Sequence, residues 1–406
     1  MTIFSGQSLA DWLFHLENLH QSAIDMGLER VRSVADDAKL LPLPAKTLLV
    51  GGTNGKGTTC AMLESMLMAA GYSVAVYSSP HLIDYRERLR VNGKMLSEAE
   101  HCQAFAAIEQ ARGQTSLTYF EFSTLAALWL CHQHSLDVVI LEVGLGGRLD
   151  ATNIVDADVA VVTSIDLDHQ AFLGNTRESV AREKVGIARH GKPLVCGEPQ
   201  PTAVFLEEVL RIGARLKWVG RDFHYEDQGL SWTFNGQDYA RPSLPLPNAA
   251  TALQTLSLLG LEVSVDAINQ GLSQARLPGR MQVLDRSPLV LADVAHNPHA
   301  ARYLNAELER RYPGKVIHGV CAMLSDKDIA GTLAEMSAIS CWYPAELPGV
   351  GRAAPAATLG KLLGKDKTFA DVKTALQAAI KVAGPDSVVI VFGSFYTVAQ
   401  VLPVGE

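Results

Sequence analysis

Cysteine is sparse and nowhere paired: Cys60, Cys102, Cys131, Cys196, Cys321 and Cys341 stand far apart, with no CxxC spacing. That excludes a zinc-ribbon site and a disulfide scaffold, and it favours a reducing, cytoplasmic setting. No apolar run approaches the ~20 residues needed to cross a bilayer, so no membrane partner is expected. The amino-terminal stretch MTIFSGQSLADWLFHLENLH carries no basic leader ahead of an apolar segment, unlike a signal peptide. Positive charge is in deficit, with 35 Lys and Arg against 43 Asp and Glu, for a net charge of −8. A nucleic-acid surface is therefore not expected, and any polyanionic ligand must be met by cations gathered locally. Internal repeats, low-complexity tracts, an HExxH pair and a Ser/His/Asp nucleophile elbow are also missing. Nucleophile-elbow hydrolase and HExxH zinc-protease chemistry fall away with them.

What is present is a glycine loop. Residues 47–59, TLLVGGTNGKGTT, run from an apolar strand into glycines and then into a helix. Such a loop can turn its N–H groups onto an anion, and the following helix offers its positive end to the same place. Lys56 supplies a point charge for outer phosphates, and Thr58 or Thr59 a hydroxyl for a phosphate oxygen or Mg²⁺. The spacing departs from the common P-loop, because Val50 stands six residues before Lys56 and Gly57 separates lysine from threonine. A glycine turn without a ligand is the plain alternative.

At 406 residues and 48% apolar, the chain can bury more than one core. Strands are expected at 46–50, 72–78, 137–143 and 158–165, the last two continuous apolar runs as in a parallel sheet covered on both faces. The glycine loop is followed by a helix over 57–70, with Met62, Leu63, Met66 and Leu67 on its apolar face and Gly71 as its stop. Another helix is expected over 176–190, then strand PLVCG. A small antiparallel ribbon is expected between 221 and 240, and helices at 248–259 and 265–275. Leu277-Pro278-Gly279-Arg280 then opens a linker, after which strands and helices alternate again. The expected organisation is α/β: a P-loop-containing, mostly parallel sheet domain over 1–277, a linker over 278–287, and a smaller Rossmann-like domain over 288–406.

Ligands of parallel sheets gather beyond the carboxyl ends of strands. Four polar segments fall there in the first domain: the glycine loop, Ser78-Ser79-Pro80-His81, Glu142 with Val143-Gly144-Leu145-Gly146-Gly147-Arg148, and Asp166-Leu167-Asp168-His169. An acidic residue ending an apolar strand beside a phosphate loop suits Mg²⁺ on a triphosphate. His169 is as open to a structural role as to a site role, and Ser79 on its own is an ordinary turn residue. Glycines 144, 146 and 147 lack the pattern that completes a dinucleotide fingerprint. Lys184, between Arg182-Glu183 and Val185, reads as part of a solvated helix face. In the second domain, Asp293 to His299 and Gly393-Ser394-Phe395-Tyr396 follow apolar strands. Asn297 and Ser394 suit helix caps and ligand contacts equally.

Taken in order, GTNGKGTT, YSSPHL, LEVGLGGRLDATN, LDH, LPGR, DVAHNP and GSFY resemble the Mur-ligase-like amide ligases, and among them the folylpolyglutamate synthase family. The segments Asp25 to Arg30 and Leu117 to Glu121 are similar to its bacterial branch, the bifunctional dihydrofolate synthase/folylpolyglutamate synthases. The resemblance implies an ATP- and Mg²⁺-dependent, ADP-forming ligase, with a monovalent cation as a further candidate. It would join L-glutamate to dihydropteroate or to reduced folates and work as a monomer. It implies that Thr53, Asn54, Gly55, Lys56, Gly57 and Thr58 hold the triphosphate, with Asn248, Arg280 and Asp293 as further nucleotide contacts. Ser79, Glu142 and His169 match the family's metal ligands, and Lys184 the position of a carbamylated lysine that binds a second metal. His296 and Ser394 match the glutamate region, with Lys56, Lys184 and His296 as the catalytic set. Gly27, Thr118, Phe120, Asp150 and Ala151 match the pterin pocket. Two other functions fit the residues: a sister ligase acting on a cell-wall nucleotide precursor, and a nucleotide-binding regulator without catalysis.

Overall fold

The computed structural model describes residues 6–403. Of the amino-terminal stretch considered above, residues 1–5 lie outside them. The chain divides into two compact units, Met1–Arg276 and Leu277–Glu406.

The first unit is built on eight strands: β1 (Lys46–Gly51), β2 (Val74–Tyr77), β3 (Leu89–Val91), β4 (Lys94–Met95), β5 (Val138–Glu142), β6 (Val159–Val162), β7 (Pro193–Cys196) and β8 (Arg215–Trp218). They lie in the order β4-β3-β2-β5-β1-β6-β7-β8. From β2 to β8 all pairings are parallel, and β3 and β4 add an antiparallel edge. Strands β1, β2, β5 and β6 are buried almost throughout, because helices cover both faces. In this order the carboxyl ends of β2, β5, β1 and β6 are neighbours along one edge of the sheet.

The helix Lys56–Ala69 is buried on nearly every side, not only along the face of Met62, Leu63, Met66 and Leu67. The reason is a second layer. Helix Val265–Gln274 lies against it, so close that a Cβ on Gly271 would stand 2.6 Å from the Met66 backbone nitrogen, and Ser65 Oγ donates to Gly271 O at 2.8 Å. The helix expected to reach 190 ends at Val185. There Gly186 lies against Arg148, with 2.8 Å between a Cβ at that glycine and the Arg148 Cα. The ribbon is a three-stranded antiparallel sheet of β9 (Tyr225–Asp227), β10 (Ser231–Phe234) and β11 (Gln237–Ala240), with positive φ at Gly229, Asn235 and Gly236 in its turns.

The second unit carries β12 (Gln282–Arg286), β13 (Leu289–Asp293), β14 (Ile317–Cys321), β15 (Cys341–Pro344) and β16 (Val388–Phe392), in the order β12-β13-β16-β14-β15. All pairings are parallel except β12 with β13. Much of the span expected as a linker, 278–287, is thus edge strand β12. Every residue of Gln282–Arg286 is only partly covered or exposed, so it shows no apolar run by which a strand could be recognised. No helix among the described residues is long and apolar enough to cross a membrane.

Candidate active site

The glycine loop leaves β1 and is fastened to the end of β6. Thr53 N–H donates to Ser164 O at 2.9 Å, Asn54 N–H to Ser164 Oγ at 3.0 Å, and Thr163 Oγ1 to Asn54 O at 2.6 Å. Thr53 Oγ1 adds a bond to Asp166 O at 2.8 Å. Gly52 (φ +145°) has no room for a side chain, since a Cβ would fall inside the Thr163 hydroxyl. Gly55 sits at φ +83° directly before the helix, and a Cβ there would reach within 2.5 Å of Asn248 Oδ1. Lys56 Nζ folds back over the loop to Gly52 O at 3.0 Å, which keeps its charge beside the loop N–H groups. Thr58 Oγ1 donates to Gly55 O at 3.0 Å and accepts from Asn248 Nδ2 at 2.6 Å, so Thr58 and Asn248 are directly joined.

The sheet register assembles the rest of this edge. Glu142, buried, pairs with Val50 at the entry to the loop. Tyr77 pairs with Leu141, which carries Ser78 and Ser79 past the same edge. Beyond β6 come Asp166 to His169, with His169 in the left-handed region (φ +49°) and its N–H on Asp168 Oδ1 at 2.8 Å. Lys184 is 3% exposed, which overturns its reading as part of a solvated face. Burial, aided by the nearby Lys56 charge and opposed by Asp168, lowers its amine pKa to about 7. Among the described residues no group of three His, Cys, Asp or Glu side chains gathers to hold an ion.

The glycines after Glu142 allow close approach. A Cβ on Gly144 would stand 2.6 Å from the Phe120 ring, and one on Gly147 would stand 2.7 Å from Glu183 O. Gly146 faces Leu173 and Met26, so Phe120, Met26 and the glycine turn converge next to Gly27. Thr118 caps the helix Tyr119–His132 through Glu121 N at 3.2 Å, and Glu121 returns the bond to Thr118 N at 2.8 Å. Asp150 accepts from Leu145 N at 2.8 Å and Thr152 Oγ1 at 2.6 Å, with burial pushing its carboxyl pKa upward. Ala151 is buried beside it.

In the second unit, Asp293 is buried at the end of β13 and takes N–H bonds from Met281 (2.9 Å) and Ala295 (2.9 Å). Burial raises its pKa while Arg280 opposes the shift. Arg280 also lies over the Phe395 ring, 5.2 Å from its centroid. His296 Nδ1 sits 2.8 Å from Val294 O, so Nδ1 carries the proton in the neutral ring. Asn297 and Ser394 both serve as caps: Asn297 Oδ1 accepts from Ala300 N, and Ser394 Oγ accepts from Thr397 N at 3.0 Å.

Residues given no site role from the sequence hold the site in shape. Thr163 and Ser164 fix the loop, and Asp168 faces the buried lysine. Thr163 and Ser164 were signalled only by their position at the end of an apolar strand, whereas Asp168 stands in the LDH motif. Arg30 is another, paired with Asp25 at 2.8 Å and with buried Glu121 at 2.9 Å, which pins the segment holding Gly27.

Known proteins match this arrangement along its whole length. Residues 50–197 match the Mur ligase middle domain, and residues 279–395 the Mur ligase glutamate ligase domain. The dihydrofolate synthase/folylpolyglutamate synthase of Escherichia coli (strain K12) is 52% identical over 406 residues, covering 98% of this chain and 96% of that protein. Its counterpart from Haemophilus influenzae is 41% identical over 440 residues, covering 100% and 99%. E. coli FolC in complex with DHPP and ADP superposes with a TM-score of 0.96 at 52% identity, over 98% of this chain and 97% of that one. A bifunctional folylpolyglutamate synthase/dihydrofolate synthase with Mn, AMPPNP and L-glutamate bound gives 0.93 at 51%, over 99% and 98%. The chain belongs to the dihydrofolate synthase/folylpolyglutamate synthase family of Mur ligases.

Proposed function

We propose that this chain is an ADP-forming ligase that joins L-glutamate to dihydropteroate, giving dihydrofolate, and to the γ-carboxylate of reduced folates. The observation that carries the reading is the sheet edge where the Lys56 loop, Glu142 and the Ser79 and His169 segments end side by side. Relatives bearing this name, and bound to ADP, AMPPNP, DHPP and L-glutamate in solved structures, give no support to a cell-wall acceptor. Six free cysteines suit a cytoplasmic enzyme.

A carboxylate does not condense with an amine in water without activation. On this reading the acceptor carboxylate attacks the γ-phosphoryl group of ATP, the bond to ADP breaks, and an acyl phosphate forms. The amine of glutamate then attacks the carbonyl carbon and phosphate leaves. Thr53, Asn54, Gly55, Gly57 and Thr58 cradle the phosphates, and Lys56 offsets the charge that moves onto them. Asn248 holds the Thr58 hydroxyl in place.

The residues at the edge fit a divalent cation on a nucleotide: a hydroxyl at Ser79, a buried carboxylate at Glu142 and the ring of His169 are too few to enclose an ion alone. Mg²⁺ suits so partial a set, because it completes its shell with water and phosphate oxygens. When bound, Mg²⁺ supplies charge neutralisation for phosphoryl transfer. Lys184, with its lowered pKa, is poised to attack CO₂ as a neutral amine and lose a proton, leaving a carbamate anion beside Lys56. Arg280 and Asp293 serve the nucleotide, His296 and Ser394 belong to the region that receives glutamate, and Phe120 with Gly27, Thr118, Asp150 and Ala151 serves the pterin.

Incubating the protein with dihydropteroate, ATP, Mg²⁺ and L-glutamate should release ADP and yield dihydrofolate. Inactivity there with turnover on a muramyl nucleotide would reverse the assignment, and ATP binding without phosphate release under any acceptor would point to a regulator.

A further inference from the structure

Arg88 is a half-buried cation, and among the described residues no carboxylate forms an ion pair with it. Its Nε donates to His81 Nδ1 at 2.9 Å, and its guanidinium lies 5.2 Å from the Tyr119 ring centroid and 5.7 Å from that of Tyr85. The two acids closest to it in the chain are engaged elsewhere. Glu87 accepts from the N–H groups of Leu82 (2.7 Å), Ile83 (2.8 Å) and Asp84 (2.7 Å), and Asp84 pairs with Arg86 at 2.6 Å. The backbone is fixed too, since Ser78 N–H donates to Arg88 O at 2.8 Å. A guanidinium held by one nitrogen and stacked on two rings keeps its two terminal nitrogens for a planar, bidentate acceptor. Leaving it unmatched without such a ligand would be a poor use of a half-buried charge.

Its place says which acceptor. One contact, His81, stands two residues beyond Ser79 on the phosphate side of the site. The other, Tyr119, lies between Thr118 and Phe120 on the pterin side. A glutamyl folate stretched between these ends carries its α-carboxylate midway, between the aryl amide and the reacting γ-carboxylate. Dihydropteroate, whose single carboxylate reacts, has no such group. We propose that Arg88 grips the unreactive α-carboxylate of the glutamyl acceptor and so distinguishes chain extension from dihydrofolate synthesis. The assignment rests on the ligase function proposed above.

Steady-state kinetics with the full chain test it, using dihydropteroate and a monoglutamyl reduced folate as acceptors. Arg88→Gln should raise KM for the folate roughly tenfold to a hundredfold, the range expected for hydrogen bonds to a charged group. The rise should exceed that for dihydropteroate at least tenfold, and Arg88→Lys should recover part of it. The unaltered enzyme should show a similar rise toward a folate whose α-carboxylate is amidated, with no further loss on that substrate in Arg88→Gln. Equal losses on both acceptors, or an α-amide used as well as the acid, would overturn the assignment. No turnover of either acceptor by the unaltered enzyme would overturn the ligase function and the assignment with it.

Discussion

Two parallel sheets here place polar side chains beyond their strand ends, and they use them differently. In the second unit Asp293, Asn297 and Ser394 each accept bonds from backbone N–H groups close by in sequence, so much of their polarity goes into shaping the chain. In the first unit, Lys184 is buried close to the charge of Lys56, and burial depresses its pKa. A residue at a strand end is thus a candidate by position only. What separates a site from a cap is whether the local backbone has already taken its hydrogen bonds, and whether burying it costs free energy that only a ligand offsets.

Lys184→Ala gives the sharpest break of that contrast. It should lower kcat by on the order of 10²–10³-fold, the scale of losing one electrostatic contact to the transition state. ATP should still bind, and a short carboxylic acid should restore part of the rate. Full activity in the alanine variant would remove the carbamate from the account. The same residue leaves a mark on stability. Without CO₂, the folded-state amine loses its proton near pH 7 and the unfolded one near the ordinary lysine value of 10.5. The unfolded chain therefore binds the extra proton between those values, so stability rises with pH across that window. A thermal melt series from pH 7 to 10 should show this slope, and Lys184→Met should abolish it.

Gly52→Ala comes next, because it pushes a methyl group into the Thr163 hydroxyl at a φ that L-residues avoid. Backbone strain of about 1–3 kcal/mol should appear as a lower melting temperature and, by calorimetry, as ATP affinity weakened about tenfold or more. Asn248→Ala removes only the bond to Thr58 and should cost about 1 kcal/mol in ATP binding. Ser394→Ala is the smallest and tests the second unit. If the hydroxyl serves as a cap, stability falls by about 1 kcal/mol while KM for glutamate stays within about twofold. A large rise in that KM at unchanged stability would instead make Ser394 a ligand contact.

Much of the fold was legible because buried parallel strands announce themselves: TLLV, DVVILEV and DVAVV are continuous apolar runs. Strand β12 was not, since an edge strand with every residue at least partly exposed resembles a linker. The helices Glu98–Arg112 and Tyr119–His132 went unassigned despite capping boxes at Ser97 and Thr118. The glycine loop and Glu142 could be read from spacing. Lys184 could not, because its flanking Arg182 and Glu183 carry the pattern of a solvated helix, and nothing in that pattern announces that the turn at Gly147 and Arg148 packs on the helix backbone there. Arg88 lay inside a charged stretch, YRERLR, where nothing separates a ligand-binding arginine from its paired neighbours until the partners are known.

The central claim is that an inert carboxylate becomes a mixed anhydride with phosphate at the Lys56 loop. Dihydropteroate labelled with ¹⁸O in both carboxylate oxygens, turned over with ATP and L-glutamate, should yield inorganic phosphate carrying one labelled oxygen and an amide carbonyl retaining the other. Unlabelled phosphate formed during full turnover would contradict it.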